Sequence, residues 1–426
     1  MSFRIRSPRL ILALLTALNL LNYVDRYVLP AVIELLQVEL GLSSFMAGLL
    51  FTVFLIGYFG TSPIFGVLGD RVGPTGKQSR RGWIAAGVAV WSVATITTGL
   101  ARSVGALVAS RTVVGVGEAS YATLAPTLID EVAPPRRLTR WMAIYSAATP
   151  IGGALGYIVG GKVMAAYGWR SAFFFAGAPG VVAALLCLLI VEQARPPRLR
   201  APHLIGAAAQ LARIPLYRGS VVGYCAHTFA VGGFAFWAPK YLHQRYGLAL
   251  GDAATRFGAL AALGGAVGAL AGGLLADRIA RAPEGSDLHA RSTDEAITRA
   301  NLRLCAAGTA MAVPLAAGAI LAPTAGWFFS FFFPCQIAVF LLSGPINIAL
   351  LRSAPPHLRA SAMAVAIFSI HALGDLWSPP IIGLVADYAP MFLAMLAVPP
   401  FFALATIAWA RAIRTSGWLT WAARVR

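Results

Sequence analysis

The chain has 426 residues and only sixteen acids, and three of those stand where a carboxylate is costly. Asp25, Glu118 and Asp375 each lie near the middle of a long apolar segment. The other acids sit in polar loops or within a turn or two of a segment's end. A charge held deep in an apolar layer costs several kcal/mol unless it is paired or wetted, and such residues mark ion pairing, proton exchange or passage of a solute.

Their neighbours fall at helical spacing. Asn19, Asn22 and Arg26 are spaced i, i+3, i+7 beside Asp25 and share one face. Arg111, Gly115 and Glu118 run i, i+4, i+7, which puts Arg111 and Glu118 about 10 Å apart along one stripe. His371, Asp375 and Ser378 repeat that pattern. All three stripes are expected to face the interior of a helix bundle. Asp25–Arg26 and Arg111–Glu118 could be buried ion pairs that only fix packing. Alternatively, the carboxylates gain and lose protons, tuned by burial beside an arginine. The second reading is favoured for Asp25 and Glu118. For Asp375 both stand, because His371 one turn away could satisfy it structurally. His227 reads as a cavity or packing residue rather than a proton carrier.

These residues are positioned by segments that are membrane-spanning by composition. The chain is 58% hydrophobic and 12% charged, with mean hydropathy +0.73. Soluble domains carry about 25% charged residues, so this surface is expected to face lipid. Apolar runs place twelve helices at 9–37, 43–69, 82–101, 105–131, 139–166, 171–193, 219–242, 253–276, 301–322, 327–351, 359–387 and 390–412. The first resembles a signal peptide, but no small-residue cleavage site follows and its apolar register continues, so it reads as a membrane helix.

The net charge of +18 raises the question of nucleic acid, but the basic residues form no single face or run. They recur instead in the terminal segments and in alternate loops. That places both termini in the cytoplasm and makes the number of spans even. Cys187, Cys225, Cys305 and Cys335 lie in apolar runs without short C-x-x-C spacing and read as buried thiols. No metal or cofactor is expected, and no H-E-x-x-H, G-x-S-x-G or P-loop pattern points to an enzyme.

The chain repeats itself. Gly66-Val-Leu-Gly-Asp70-Arg71 returns as Gly273-Leu-Leu-Ala-Asp277-Arg278 at an offset of 207 residues. Ala133-Pro134-Pro135 returns as Ala354-Pro355-Pro356 at an offset of 221. A longer charged loop at 279–299 accounts for the difference. Two six-helix bundles are therefore expected, residues 1–194 and 219–426, joined by a basic cytoplasmic linker at 195–218. Amphipathic pieces around 203–213 and at 418–426 suit the membrane surface.

At this point the motifs resemble a family. Gly66–Lys77 is similar to the signature loop of the major facilitator superfamily, although basic residues are missing at Pro74–Gly76, and Arg111–Ala119 is similar to its fourth-helix motif. Pro150–Gly161 only partly matches an antiporter motif, and its small residues suit close helix packing. Asn22–Pro30, Gly117–Ile129, Gly232–Leu242 and His371–Asp387 resemble the spinster family across both halves.

The resemblance implies an all-α major facilitator fold and alternating access. It implies coupling or substrate-binding roles for Asp25, Arg26, Arg111 and Glu118. Helices one, four, seven and ten would line the cavity. Asn22, Tyr121, His227, Trp237, Asn347 and His371 are further substrate-binding candidates. Gly66, Asp70, Arg71, Asp130, Arg140, Asp277 and Arg278 would form a cytoplasmic gate, with Arg71 reaching Asp130 or Glu131 and Arg140 joining them. The expected protein is a monomeric, proton-coupled carrier of an amphiphilic or lysolipid-like anion in a bacterial inner membrane. A drug or polar-metabolite antiporter and a non-transporting membrane receptor are the alternatives.

Overall fold

The computed structural model describes residues 4–70, 79–134, 137–191, 204–280 and 287–415. The chain is helical throughout these segments. In order the helices are α1 (Pro8–Leu40), α2 (Ser44–Asp70), α3 (Arg80–Leu100), α4 (Val104–Val132), α5 (Leu138–Tyr167), α6 (Trp169–Cys187), α7 (Leu204–Ala212), α8 (Pro215–Tyr246), α9 (Leu250–Ala280), α10 (Asp287–Leu321), α11 (Ala325–Phe340), α12 (Ser343–Arg352), α13 (Arg359–Ile370), α14 (Ser378–Tyr388), α15 (Met391–Met395) and α16 (Val398–Ala412). Among the described residues the one strand-like feature is a bridge between Ile5 and Ile190, which ties the N-terminal segment to the chain beyond α6.

Helix starts follow local chemistry. The hydroxyls of Ser79, Ser103 and Thr324 accept the backbone N–H of Gly82, Ala106 and Trp327, satisfying donors that the first turn leaves free. Gly41 and Gly247 close α1 and follow α8 at φ +64° and +66°, a left-handed conformation that glycine adopts without strain.

The boundaries differ from the sequence reading in four places, one of them the break between Met395 and Val398 in the helix expected over 390–412. The helix expected from residue 301 begins at Asp287, because the charged stretch expected as a loop extends the helix beyond its apolar part. There Arg299 pairs with Glu295 one turn earlier, at 3.0 Å. The helix expected over 359–387 is interrupted by a π turn at His371–Asp375. The helix expected over 327–351 breaks between Phe340 and Ser343. The amphipathic piece expected near 203–213 is α7; that expected at 418–426 lies outside the described residues.

Ten helical stretches among the described residues are long and apolar enough to cross a membrane. Large apolar side chains such as Val38, Leu270, Leu274, Leu185 and Phe368 are exposed on the surface, as lipid-facing positions require. The two long helices that fall short of the apolar criterion are α1 and α4. They are also the helices that carry Asp25, Arg26, Arg111 and Glu118.

The chain divides into two compact units. One holds residues 1–199 and 238–262; the other holds 200–237 and 263–426. In the first, small residues let helices approach closely. A Cβ at Gly152 would stand 2.5 Å from the Leu20 carbonyl, and one at Gly156 would stand 2.6 Å from that of Val24. The glycines of Pro150–Gly161 thus serve the α1–α5 contact, as the packing reading expects. A Cβ at Gly115 would meet the Phe54 carbonyl at 2.0 Å, which fixes α4 against α2. In the second unit, buried donors find carbonyls on other helices. Trp237 Nε1 donates to Pro379 O at 2.9 Å, Trp409 Nε1 to Ser220 O at 3.0 Å and the Tyr217 hydroxyl to Ala362 O at 2.7 Å. All four cysteines are buried free thiols.

Candidate functional site: a crosswise charge quartet

Asp25 and Arg26 are adjacent on α1, so their side chains leave the helix about 100° apart. Each meets α4 separately. Arg26 Nη2 donates to Glu118 Oε2 at 2.6 Å, and Arg111 Nη1 donates to Asp25 Oδ1 at 3.2 Å. The packing alternative paired Asp25 with Arg26 and Arg111 with Glu118. The structure corrects that: both pairs run between helices, crosswise. One helical turn on α1 cannot bring neighbouring residues to the same partner, whereas the stripe on α4 spaces Arg111 and Glu118 to meet two different ones.

The pairs differ in access. Arg111, Asp25 and Glu118 have side chains at most 1% exposed, while that of Arg26 keeps 14%. Four further side chains support the quartet. The Thr95 hydroxyl of α3 donates to Asp25 Oδ2. The Phe54 ring of α2, itself fully buried, lies 4.8 Å from the Arg26 guanidinium and 5.4 Å from that of Arg111. Tyr23 and Tyr58 add faces at 5.0 and 5.5 Å from Arg26. These cation–π contacts hold two like charges around one ring. Thr and Phe in an apolar helix usually mean packing, so no sequence signal distinguished them.

The quartet is not fully satisfied. Arg26 Nε, Arg111 Nε and Nη2, Glu118 Oε1 and the neighbouring Asn22 Nδ2 are buried without a hydrogen-bond partner. Each such atom is a cost in the closed, dry arrangement and a free valence for an incoming group. Asn19, on the same face, is engaged with Tyr145 O at 2.9 Å.

The second unit holds the other acid. His371 Nδ1 lies 2.9 Å from Asp375 Oδ2, across the π turn in which Leu376 N reaches His371 O. Both side chains are partly exposed, at 28% and 17%. Gly232 of α8 packs on Asp375, where an added Cβ would stand 2.7 Å from the Asp375 Cβ. The Ser378 hydroxyl is buried without a partner.

The remaining candidates are scattered. Tyr121 is fully buried on α4, and its hydroxyl donates to Leu15 O. Trp237 is fully buried. His227 is enclosed by the rings of Tyr224, Phe402 and Trp409 at 6.0, 5.9 and 6.3 Å. Asn347 is exposed, and its amide donates to Ser343 O.

Of the gate residues, Gly66 lies in α2 and Asp70 ends that helix, with its side chain outside the described residues, as is all of Arg71. Asp130 is half-buried near the end of α4. It is Arg80, which the sequence reading did not choose, that pairs with Glu131. Arg140 meets no carboxylate among the described residues, and it is exposed near the start of α5. Asp277 and Arg278 are exposed at the end of α9. In the second unit the comparable network was also unforeseen: Asp294 accepts from Arg352 and Arg359, both at 2.5 Å.

The Major Facilitator Superfamily model matches residues 15–379. Protein spinster of Drosophila melanogaster is 31% identical over 90% of this chain, which spans 62% of that protein's length. Human protein spinster homolog 1 is 31% identical over 90% of this chain and 75% of its own. An Arabidopsis thaliana relative, 28% identical over 90% of this chain and 82% of its own, is named a probable sphingolipid transporter. The crystal structure of a bacterial homolog of the human lysosomal transporter spinster, inward-facing and unoccupied, superposes with a TM-score of 0.81. It is 21% identical and covers 96% of this chain and 97% of its own. The chain thus belongs to the major facilitator superfamily of membrane transporters and, within it, to the spinster family. It is an integral membrane protein and a transporter rather than an enzyme.

Proposed function

We propose that this transporter is a proton-coupled carrier of an amphiphilic, lysolipid-like anion. The observation that carries the reading is the crosswise quartet of two carboxylates and two guanidiniums. Its net charge is zero when all four are ionised. A proton on Glu118 leaves Arg26 uncompensated, and an anionic head then restores neutrality at that guanidinium. Arg26 is the one partly exposed member, so this pair is where proton and head would enter. Asp25 is the second proton-handling acid, with Arg111 as its counter-ion, and Asp375 beside His371 is a third. Asn22, with a free buried amide, is placed to meet the head. Tyr121, His227, Trp237, Asn347 and His371 belong to the same reading as candidate substrate contacts.

The rest of the proposal concerns architecture. α1 and α4 cross the membrane together with the ten apolar stretches, giving twelve spans. Their low hydropathy is what two helices carrying a shared, internally neutralised charge site would show. Residues 1–194 and 219–426 form two six-helix halves joined by the linker at 195–218, and the halves alternate access to the site. Both termini face the cytoplasm of a bacterial cell, the protein works as a monomer in the inner membrane, and Gly66, Asp70, Arg71, Asp130, Arg140, Asp277 and Arg278 gate the cytoplasmic side. The name of the plant relative supports a lipid-like substrate.

Reconstitution into liposomes tests this reading. A labelled lysophospholipid is expected to cross faster than in protein-free vesicles, and to compete with other single-chain anions. Equal rates with and without protein, together with rapid flux of a polar metabolite, would overturn it.

A further inference from the structure

A second basic site lies apart from the quartet, at the N-terminal end of α1. Arg9, Arg137 and Arg140 line a cavity of about 300 Å³ together with Leu12, Trp141 and Ile144. We propose that this pocket binds the phosphate of an anionic bilayer phospholipid.

The packing of α1 on α5 builds it. Gly152 lies against Leu20 and Gly156 against Val24. That constant offset of 132 residues sets Ile144 level with Leu12 and Arg140 level with the first turn of α1, where Arg9 stands. Both helices begin here, so the guanidiniums stand where the apolar runs of α1 and α5 start, at the depth of lipid headgroups.

Three features select the ligand. First, the three arginines meet no carboxylate among the described residues. Four other arginines, by contrast, are paired: Arg80 with Glu131, Arg299 with Glu295, Arg352 and Arg359 with Asp294. Three like charges around one cavity attract an oxyanion, and a phosphate, even with one charge, accepts several N–H donors at once. Second, the floor is apolar. Leu12 and Trp141 are 7% exposed, while Ile144 is 44% exposed on the flank of α5. A cationic mouth above an apolar, open flank fits a headgroup phosphate with its chains running down the helix surface. Free phosphate would leave that flank unused. Third, Trp141 sits between the two, as aromatic residues do at the headgroup level. Basic pockets between helices at a membrane boundary recognise anionic headgroups by this chemistry.

Native mass spectrometry of the full-length protein tests the site, with phosphatidylglycerol and phosphatidylcholine offered in equal amounts. The wild type is expected to retain phosphatidylglycerol preferentially. Arg9→Gln with Arg137→Gln is expected to weaken that retention about 25-fold, at about fivefold for each arginine. Arg4→Gln with Arg6→Gln, exposed arginines at the same end but outside the pocket, is expected to leave it within about twofold. Excess inorganic phosphate is expected not to displace the lipid. Should the double variant fail to fold, Arg9→Gln alone, expected to weaken retention about fivefold, carries the same test. Undiminished retention in the pocket variants, an equal loss in the Arg4 and Arg6 variant, or displacement by phosphate alone would each overturn the proposal.

Discussion

The first unit joins α1 to α4 through four charges, whereas the second unit uses none at the corresponding register. The internal offset of 207 residues carries Asp25 and Arg26 to Gly232 and Gly233, and that of 221 carries Arg111 and Glu118 to Phe332 and Val339. The structure supports the first register: α1 starts at Pro8 and α8 at Pro215, an offset of 207, and Gly41 and Gly247 follow with matching left-handed φ at an offset of 206. In the second unit these positions simply pack. Gly232 and Gly233 admit Asp375, Ser378 and Ile382, and the Phe332 ring lies 5.7 Å from that of Phe234. Helices at this register therefore pack without charge. Buried ion pairs are often no more stabilising than apolar residues of the same volume. What the quartet adds is a chargeable centre with unpartnered buried donors and an unpartnered acceptor.

The comparison can be broken or sharpened by substitution, beginning with the quartet. Arg111→Ala leaves the Asp25 carboxylate buried against Thr95 alone and is expected to cost about 3–5 kcal/mol, read from thermal unfolding in detergent. Adding Asp25→Asn to Arg111→Ala is expected to recover more than half of that loss. A double variant no more stable than Arg111→Ala would mean the pair is not coupled. On the other side of the comparison, Phe332→Ala is expected to cost about 3 kcal/mol through the cavity it opens, while flux keeps its response to a pH gradient. Loss of that response would show that the second unit's register is not mere packing. Asp375→Asn is expected to cost about 1 kcal/mol, because both members of its pair are partly exposed to begin with. The smallest effect is expected at the end of α1, where Arg170 meets Glu39 at 2.6 Å with side chains 33% and 46% exposed. There Arg170→Ala is expected to change stability by about 0.5 kcal/mol or less.

Much of this was legible in the sequence because lipid makes hydropathy and charge unusually informative. Apolar runs located the helices, and depth alone singled out Asp25 and Glu118. Helical spacing says which residues share a face, but not which helix that face meets. That is why spacing sets Arg26 beside Asp25 although it bonds Glu118, and why it gives no sign of the Arg80–Glu131 pair. Thr95 and Phe54 carried no signal because hydroxyls and rings are ordinary in membrane helices. The π turn at His371–Asp375 adds a residue to one helical turn and leaves no mark in composition. The Asp294 network was hidden by a charged stretch that reads equally as loop or helix.

The central claim is that the quartet couples a proton to transport. Its most direct test is flux of a labelled lysophospholipid in liposomes, with and without an imposed pH gradient, for the wild type and Glu118→Gln. This account predicts that the gradient accelerates wild-type flux and, at one pH unit, which supplies about 1.4 kcal/mol per proton, drives accumulation of up to about tenfold per coupled proton, and that Glu118→Gln moves the same substrate at a rate indifferent to the gradient. A Glu118→Gln protein that still responds to the gradient as the wild type does would contradict it.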